Sequence, residues 1–403
     1  GSDALIQAAA NVAWALKDKG IDAGLTFVGA EANSFGVVMT EAQPLDKALA
    51  LLADGSADTV VVMENDLYRH ADKAAVDCAL DAAANVIVLD HQRTDIMEKA
   101  SLILSASSFA ESDGTLINHE GRAQRFFQVY EPSFYDKSII MHESWRWLTA
   151  LYNDRNENSR DWSQLDHVID ACIEQMPHLA GIKDAAPDAA FRIRGQKLAR
   201  EPHRYSGRTA MLANISVHEQ RQPQDKDTAF AFSMEGNNSP AAPRQQIPFA
   251  WAPGWNSPQA WNKFQAEVGG HLRFGDPGVR LFSEKDGGMD YFSAIPAAFA
   301  PQQNVWTVAP YYHLFGSEEL SQRAPVIQER MTDSYVMLNA QDAQKLNVAE
   351  GQVLSVQLAD SALALPVRIS TQLTAGQIGL PLGMPGISPV LAGAAVNLQE
   401  VAQ

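Results

Sequence analysis

The sequence predicts an α/β fold: a parallel sheet layer, then a mixed α+β region, then a small C-terminal β-barrel. Three observations carry this. Between residues 3 and 150, short β-branched runs alternate with apolar repeats of helical period, the pattern of strands separated by helices. From about 153 to 245 the sequence turns polar, and from Gln220 to Gln246 it is rich in Gln, Asp, Asn and Pro. From Met337 onward, short apolar runs are punctuated by Gly and Pro, the pattern of small-barrel strands. Composition shifts divide the chain at 1–152, 153–330 and 331–403.

Asp3 to Lys19 is predicted helical, with Leu5, Ala9, Val12 and Leu16 on one stripe. Gly24 to Gly29 (GLTFVG) reads as a strand. A helix over Leu45 to Ala53 precedes the strand Thr59 to Met63 (TVVVM), and a helix over Lys73 to Ala84 precedes Val86 to Leu89 (VIVL). A short helix at Asp95 to Lys99 leads into Leu102 to Leu104. Strands without polar alternation predict a Rossmann-like parallel sheet covered on both faces. No G-x-G-x-x-G follows any strand and no Walker motif occurs, which argues against a nicotinamide, flavin or P-loop site. The loop ENDLYR (Glu64 to Arg69) and His91 both follow strands, where α/β sites gather. ENDLYR is read as a solvated turn or as one wall of a cofactor cleft.

Further along, Ser144 to Tyr152 reads as an aromatic helix, with more helices at 163–175 and 188–200. Trp251, Trp255 and Trp261 are read as packing residues. Asn339 caps a helix over Ala340 to Leu346, Val348 to Gln352 is a turn, and Val353 to Leu358 and Ala364 to Ile369 are strands.

Bulk properties narrow the function. The formal charge of −17 disfavours nucleic acid and anionic membrane surfaces. Against that trend Arg192, Arg194, Lys197, Arg200, Arg204 and Arg208 cluster, as a solvated face or a docking strip for an acidic partner subunit. The two cysteines, Cys78 and Cys172, exclude a four-cysteine iron–sulfur cluster held by these residues alone and read as small core residues. No run of 18 apolar residues occurs, and the first residues lack the basic-then-apolar pattern of a secretory signal. The ten histidines form neither H-x-x-x-H nor H-E-x-x-H; His119 beside Glu120 reads as an exposed loop pair.

The densest signal is ESDGTLINHEGRAQRFF, Glu111 to Phe127. Gly114 and Gly121 permit tight turns, Asn118 can bond nearby backbone, and Arg122 offers a planar fork of donors. By chemistry alone this is an ordered hairpin-like loop, structural or functional. With its approach from Leu89, the segment resembles the molybdopterin oxidoreductase family. The pattern falls on Thr94, Lys99-Ala100-Ser101, Glu111, Gly114-Thr115, Asn118, Glu120-Gly121-Arg122 and Gln124, with Ser101 standing where the family has Asp. Two further segments are similar to the same family. Asn339, Asp342, Ala343, Leu346 and Gly351 match its C-terminal pterin-binding domain. His313, Gly316, Ser317, Leu320, Ser321, Arg323 and Pro325 match the loop that approaches a pyrophosphate.

The departures refine the resemblance. The matched stretch has no metal-ligand segment and no cysteine-rich cluster domain. Glu318 and Glu319 sit in the pyrophosphate loop, and two like unit charges ~4 Å apart at intermediate dielectric repel by ~4 kcal/mol. These features resemble the branch that keeps the fold without the metal, the large iron–sulfur subunits of NADH:quinone oxidoreductase, respiratory complex I. That resemblance implies no catalytic residue, no metal and no cofactor in this stretch, with 2Fe–2S and 4Fe–4S clusters in an N-terminal part of the polypeptide. It implies a structural loop of Glu111, Gly114, Asn118, Glu120, Gly121 and Arg122, and relic pterin-type positions at Thr115, Asn118, His313, Ser317, Ser321 and Arg323. It also implies other hydrophilic subunits of the complex as partners, on the cytoplasmic side and peripheral to the inner membrane. The alternatives are half of an active molybdopterin-dependent oxidoreductase, in which those six positions contact pterin or phosphate, and a small-anion binding protein. A sheet lacking its remaining strands is expected to expose an apolar face.

Overall fold

The computed structural model describes residues 2–29, 31–155, 159–186, 188–191, 198–200, 230–232, 278–282, 291–293, 295, 297, 300–358 and 361–400. The chain is α/β, with a parallel sheet and a closed six-stranded barrel. Three helices open it: α1 (Ser2–Asp18), α2 (Ser34–Met39) and α3 (Leu45–Ala53). Strand β1 (Thr59–Met63), helix α4 (Lys73–Ala82), strand β2 (Asn85–Asp90) and strand β3 (Leu102–Ser105) follow, and the strands pair in parallel in the order β1-β2-β3. Asp72 caps α4 by accepting from Ala74 N at 3.0 Å. Leu49 and Leu52 of α3, Val76, Ala79 and Leu80 of α4, and Val62, Val86 and Val88 of the sheet form one core.

Several expectations are corrected. Among the described residues no strand forms over 24–29; Leu25 and Val28 are exposed and the segment finds no pairing partner, so its β-propensity has nothing to act on. Cys78 is exposed because the inward stripe of α4 runs through 76, 79 and 80 and leaves 78 outside it, while Cys172 is half-buried. Neither face of the sheet is covered throughout: on the face of Val62 and Val88 the strand β3 residue Ile103 is exposed, and the opposite face is buried at Leu89 but open around it. Val61 of β1 and Leu102 of β3 flank Ile87 in register, and both are exposed, as is Met63. Part of the expected bare apolar face is therefore present, at Val61, Met63 and Leu102. The α1 stripe does not build a core either: Leu5, Val12 and Leu16 are exposed, while Trp14, Asn11 and Asp18 meet Tyr291 and Phe292.

The Gly-rich loop is a hairpin, β4 (Gly114–Ile117) antiparallel to β5 (Arg122–Phe126). Helix α5 (Pro132–Tyr135), α6 (Ser144–Arg155) and α7 (Leu165–Gln175) follow, then a 3-10 stretch at Pro177–Ala185. Ile117, Ala123 and Leu179 make a second small core. The helix expected over 188–200 does not form in its described parts: 188–191 is turn or loop and β6 (Leu198–Arg200) pairs in parallel with β7 (Phe230–Phe232). Of the basic strip, Arg192, Arg194, Lys197, Arg204 and Arg208 lie outside the described residues, as do Trp251, Trp255 and Trp261; Arg200 is described only as backbone of β6.

Strand β8 (Val279–Arg280) extends the hairpin beside β5. The barrel begins upstream of the composition change at 331, with β9 (Trp306–Tyr311). After helix α8 (Pro325–Gln328) come β10 (Val336–Asn339), helix α9 (Ala340–Lys345), β11 (Val353–Gln357), β12 (Ala362–Ser370), β13 (Gln377–Pro381) and β14 (Ala395–Glu400). The closed order is β10-β12-β11-β14-β9-β13, around Val308, Val336, Leu338, Leu354, Ile378 and Leu380. The Asn-x-x-Asp-Ala-x-x-Leu pattern has a local physical reason. Asn339 Oδ1 accepts from Gln341 N at 2.8 Å, capping α9, while its Nδ2 donates to Leu373 O. Asp342, 3% exposed, accepts from Gly376 N at 2.6 Å and pairs with Lys345. Ala343 is buried in the barrel core, and Gly351 turns with φ +81°. Asp342→Ala strands the Gly376 amide and is expected to cost about 1–3 kcal/mol by urea unfolding, with Asp342→Asn, which keeps an acceptor, costing less.

Candidate functional site

The parallel strands place the loop after β1 and the loop after β2 at one end of the sheet, and the segment 313–323 is brought against both. Asp66 caps a 3-10 turn at Leu67–Arg69 by accepting from Tyr68 N at 3.1 Å. That turn carries Arg69 to Glu319, with Nε 3.1 Å from Oε2, and to the carbonyl of Ser317 at 3.2 Å. Arg323 reaches across to the carbonyl of Arg93 at 2.7 Å, and Ser388 donates to the carbonyl of Tyr68 at 3.3 Å. ENDLYR therefore packs against the segment 313–323 through Arg69.

Each pterin-type position in that loop meets a partner within the chain. Ser317 is buried, and its Oγ accepts from His313 N at 2.8 Å. The His313 ring bonds the buried Tyr335 hydroxyl at 2.9 Å, and the Arg368 guanidinium lies 3.8 Å from the Tyr335 ring centroid. Glu318 accepts from Leu320 N and Ser321 N at 2.9 and 2.6 Å, fastening its own turn. Thr115 and Asn118 lie elsewhere, on the β4–β5 hairpin. The hairpin shares no hydrogen bond or ion pair with 313–323 among the described residues. Asn118 Oδ1 accepts from Glu120 N and Arg122 N, and the Thr115 hydroxyl is buried with no partner among the described residues. The six positions thus form two separate groups among the described residues. These residues do not fit a pterin dinucleotide: a diphosphate beside Arg69 would meet the Glu319 carboxylate already paired there.

In the expected structural loop, Arg122 Nε meets Glu120 Oε2 at 2.9 Å, so these near neighbours do pair. Glu111 accepts from Ser108 N and Oγ at 2.9 and 2.7 Å. Gly121 turns with φ +72°, and a Cβ there would strike the Phe282 ring; one at Gly114 would strike Phe126. Ser101, the departure from the family pattern, accepts from Val86 N at 2.8 Å and ties β2 to β3. The residue that sequence reasoning missed is Arg125. Only 3% exposed, it pairs with Asp166 of α7, whose other oxygen accepts from Ala189 N at 2.8 Å. Nothing in the local sequence separates Arg125 from Arg122, because the decisive partner is 41 residues away. His91 Nδ1 lies 3.4 Å from Asp90 Oδ1 without hydrogen-bond geometry, and His119 is exposed.

The joint is rich in acid. Burial pushes the Glu319 carboxyl above its ordinary range, against the pull of Arg69, and Asp66, Glu31 and Asp90 push the same way. Burial also raises Asp66, with Asp95 adding to it, against the bond from Tyr68 N and the Arg69 charge. A raised carboxyl pKa means that the folded state binds protons more tightly than the unfolded one. That contribution is fully present below the unfolded pKa near 4 and is lost as pH rises through the folded value. Asp66→Asn, which can still cap the turn, is expected to raise the melting temperature at pH 7 and to leave it unchanged below pH ~4. Equal effects at both pH values would contradict the charge argument.

The molybdopterin oxidoreductase family model matches residues 2–141. The G subunit of NADH-quinone oxidoreductase from Salmonella typhimurium is 65% identical over 404 aligned residues, covering 100% of this chain and 44% of the relative. The Escherichia coli K12 protein of the same name is 63% identical over the same shares, and that of Pseudomonas putida is 57% identical over 99% of this chain and 44% of its own. The chain is a homologue of part of these proteins. It spans under half their length. Among solved structures, acetylene hydratase from Pelobacter acetylenicus aligns over 86% of this chain and 41% of its own at 11% identity, with a TM-score of 0.38. No helix among the described residues is long and apolar enough to cross a membrane.

Proposed function

We propose that this chain is a non-catalytic scaffold segment of an NADH:quinone oxidoreductase, holding the cluster-bearing part of its polypeptide and the neighbouring hydrophilic subunits in register. One observation carries the reading: at the joint where the family's pyrophosphate loop meets the strand ends, Arg69, Glu318, Glu319, Ser317 and Arg323 are engaged with one another and with backbone. Loops tied in this way join the sheet layer to the barrel. The structural loop 111–122 acts with them, its polar groups closing the hairpin turn and its glycines admitting Phe126 and Phe282.

On this reading the stretch carries no cofactor. The 2Fe–2S and 4Fe–4S clusters belong to another part of the polypeptide, and the assembly sits on the cytoplasmic face of the inner membrane. Electrons pass from NADH toward quinone without touching these residues. The test is Arg69→Ala with Glu319→Ala in the full-length parent protein. The yield of assembled complex should fall, while NADH:quinone turnover per assembled complex stays unchanged. A drop in turnover per complex at normal yield would contradict it.

A further inference from the structure

We propose that the face of α1 bearing Asn11, Trp14 and Asp18 is a docking site for an extended aromatic dipeptide. Its occupant is the chain's own Tyr291-Phe292, which acts as a releasable strap between α1 and the connection from β8 to β9. The contacts that carry this lie within the chain and are independent of the scaffold reading.

Positions 11, 14 and 18 follow the i, i+3, i+7 spacing that puts side chains on one face of a helix. Each reads a different part of the dipeptide. Asn11 Nδ2 donates to Phe292 O at 2.8 Å, and Asn11 Oδ1 accepts from Phe292 N at 2.8 Å. One carboxamide thus exchanges both bonds with one residue, as the partner strand does in an antiparallel ladder. The Trp14 ring stacks on Phe292 at 5.3 Å and 17°, and meets Tyr291 edge-on at 6.1 Å and 80°. The Tyr291 hydroxyl donates to Asp18 Oδ2 at 2.6 Å. Backbone, ring and hydroxyl are read together, which selects two successive aromatics with a hydroxyl on the first.

The same contacts make the strap separable. At 100° per residue, the stripe of Leu5, Val12 and Leu16 lies on the far side of α1, so polar and aromatic groups hold the strap and that stripe does not. Tyr291 and Phe292 are 50% and 42% exposed. Neither they nor any α1 residue belongs to a core cluster among the described residues. Water competes for each of these bonds, so the strap opens locally while sheet and barrel stay folded. Shut, it fixes the course of the chain between β8 and β9 to a helix 281 residues earlier.

The test is brief chymotrypsin treatment of the full-length parent protein within the assembled complex, with cleavage after Tyr291 or Phe292 followed by mass spectrometry. Asn11→Leu removes both amide bonds, and Trp14→Ala removes the stacking. Each should speed that cleavage at least about tenfold, because the rate follows the population of the open strap. Asp18→Asn, which keeps an acceptor for the Tyr291 hydroxyl, should stay near wild type. Hydrogen exchange at Val86–Leu89 should not change in any of the three. Cleavage indifferent to Asn11→Leu or to Trp14→Ala, cleavage already fast in the wild type, or equal acceleration of exchange at Val86–Leu89 would overturn the proposal.

Discussion

Arg125→Ala is expected to destabilise the chain by about 3–5 kcal/mol, the penalty for breaking a buried ion pair and leaving one charge behind. The Arg125 side chain is 3% exposed and that of Asp166 21%. Removing the cation leaves Asp166 with the Ala189 amide as its remaining partner among the bonds described above. Urea unfolding would show a lower midpoint at unchanged slope. Replacing both partners by apolar residues of similar size, Arg125→Met with Asp166→Leu, should recover most of the loss, since an apolar pair carries no desolvation penalty. What is not recovered is the acceptor for Ala189 N, worth about 1–3 kcal/mol. If Arg125→Ala unfolds like the wild type, the hairpin is not pinned to α7 by this pair.

Gly383→Ala is the second large effect, and it tests the joint between barrel and sheet. Gly383 turns with φ +77°, where an alanine costs about 1–2 kcal/mol on backbone grounds alone. An added Cβ would also lie 2.2 Å from the Ser317 carbonyl oxygen and 3.3 Å from the Arg69 guanidinium. The carbonyl is backbone and cannot rotate aside, so the 313–323 segment must move off the turn that holds Gly383. Hydrogen exchange should speed up at the 3-10 turn Leu67–Arg69 and at Leu320 and Ser321, with little change in the distant hairpin at Asn118. Uniform acceleration across the chain would mean that the barrel itself had failed.

Local rules read much of this molecule from its sequence. The strands TVVVM and VIVL are short, β-branched and bounded by turns, and both form. The hairpin was legible in Gly114, Asn118 and Gly121, because turn chemistry acts over four or five residues. Asn339 announced its helix for the same reason. Most of the failures depend on something distant. GLTFVG has strand composition and no neighbour to pair with. Cys78 was assigned to the core by residue type, when helical phase places it outside. The sheet read as covered on both faces because its strands are apolar on both, yet composition cannot say which polypeptide supplies the cover. Arg122 looked like the important arginine of the hairpin, and the buried one is Arg125. At the candidate site, the acids in the pyrophosphate loop were visible as a conflict with phosphate, but their engagement with Arg69 required the fold.

On the proposed function, the residues at the pterin-type positions of 313–323 bind one another and not a cofactor. The most direct test is elemental analysis with a released-pterin fluorescence assay on the parent protein, purified together with its partners. The account predicts iron without stoichiometric molybdenum, tungsten or pterin. Stoichiometric molybdenum or tungsten with pterin would contradict it, and would make His313, Ser317, Ser321 and Arg323 contacts of a working cofactor.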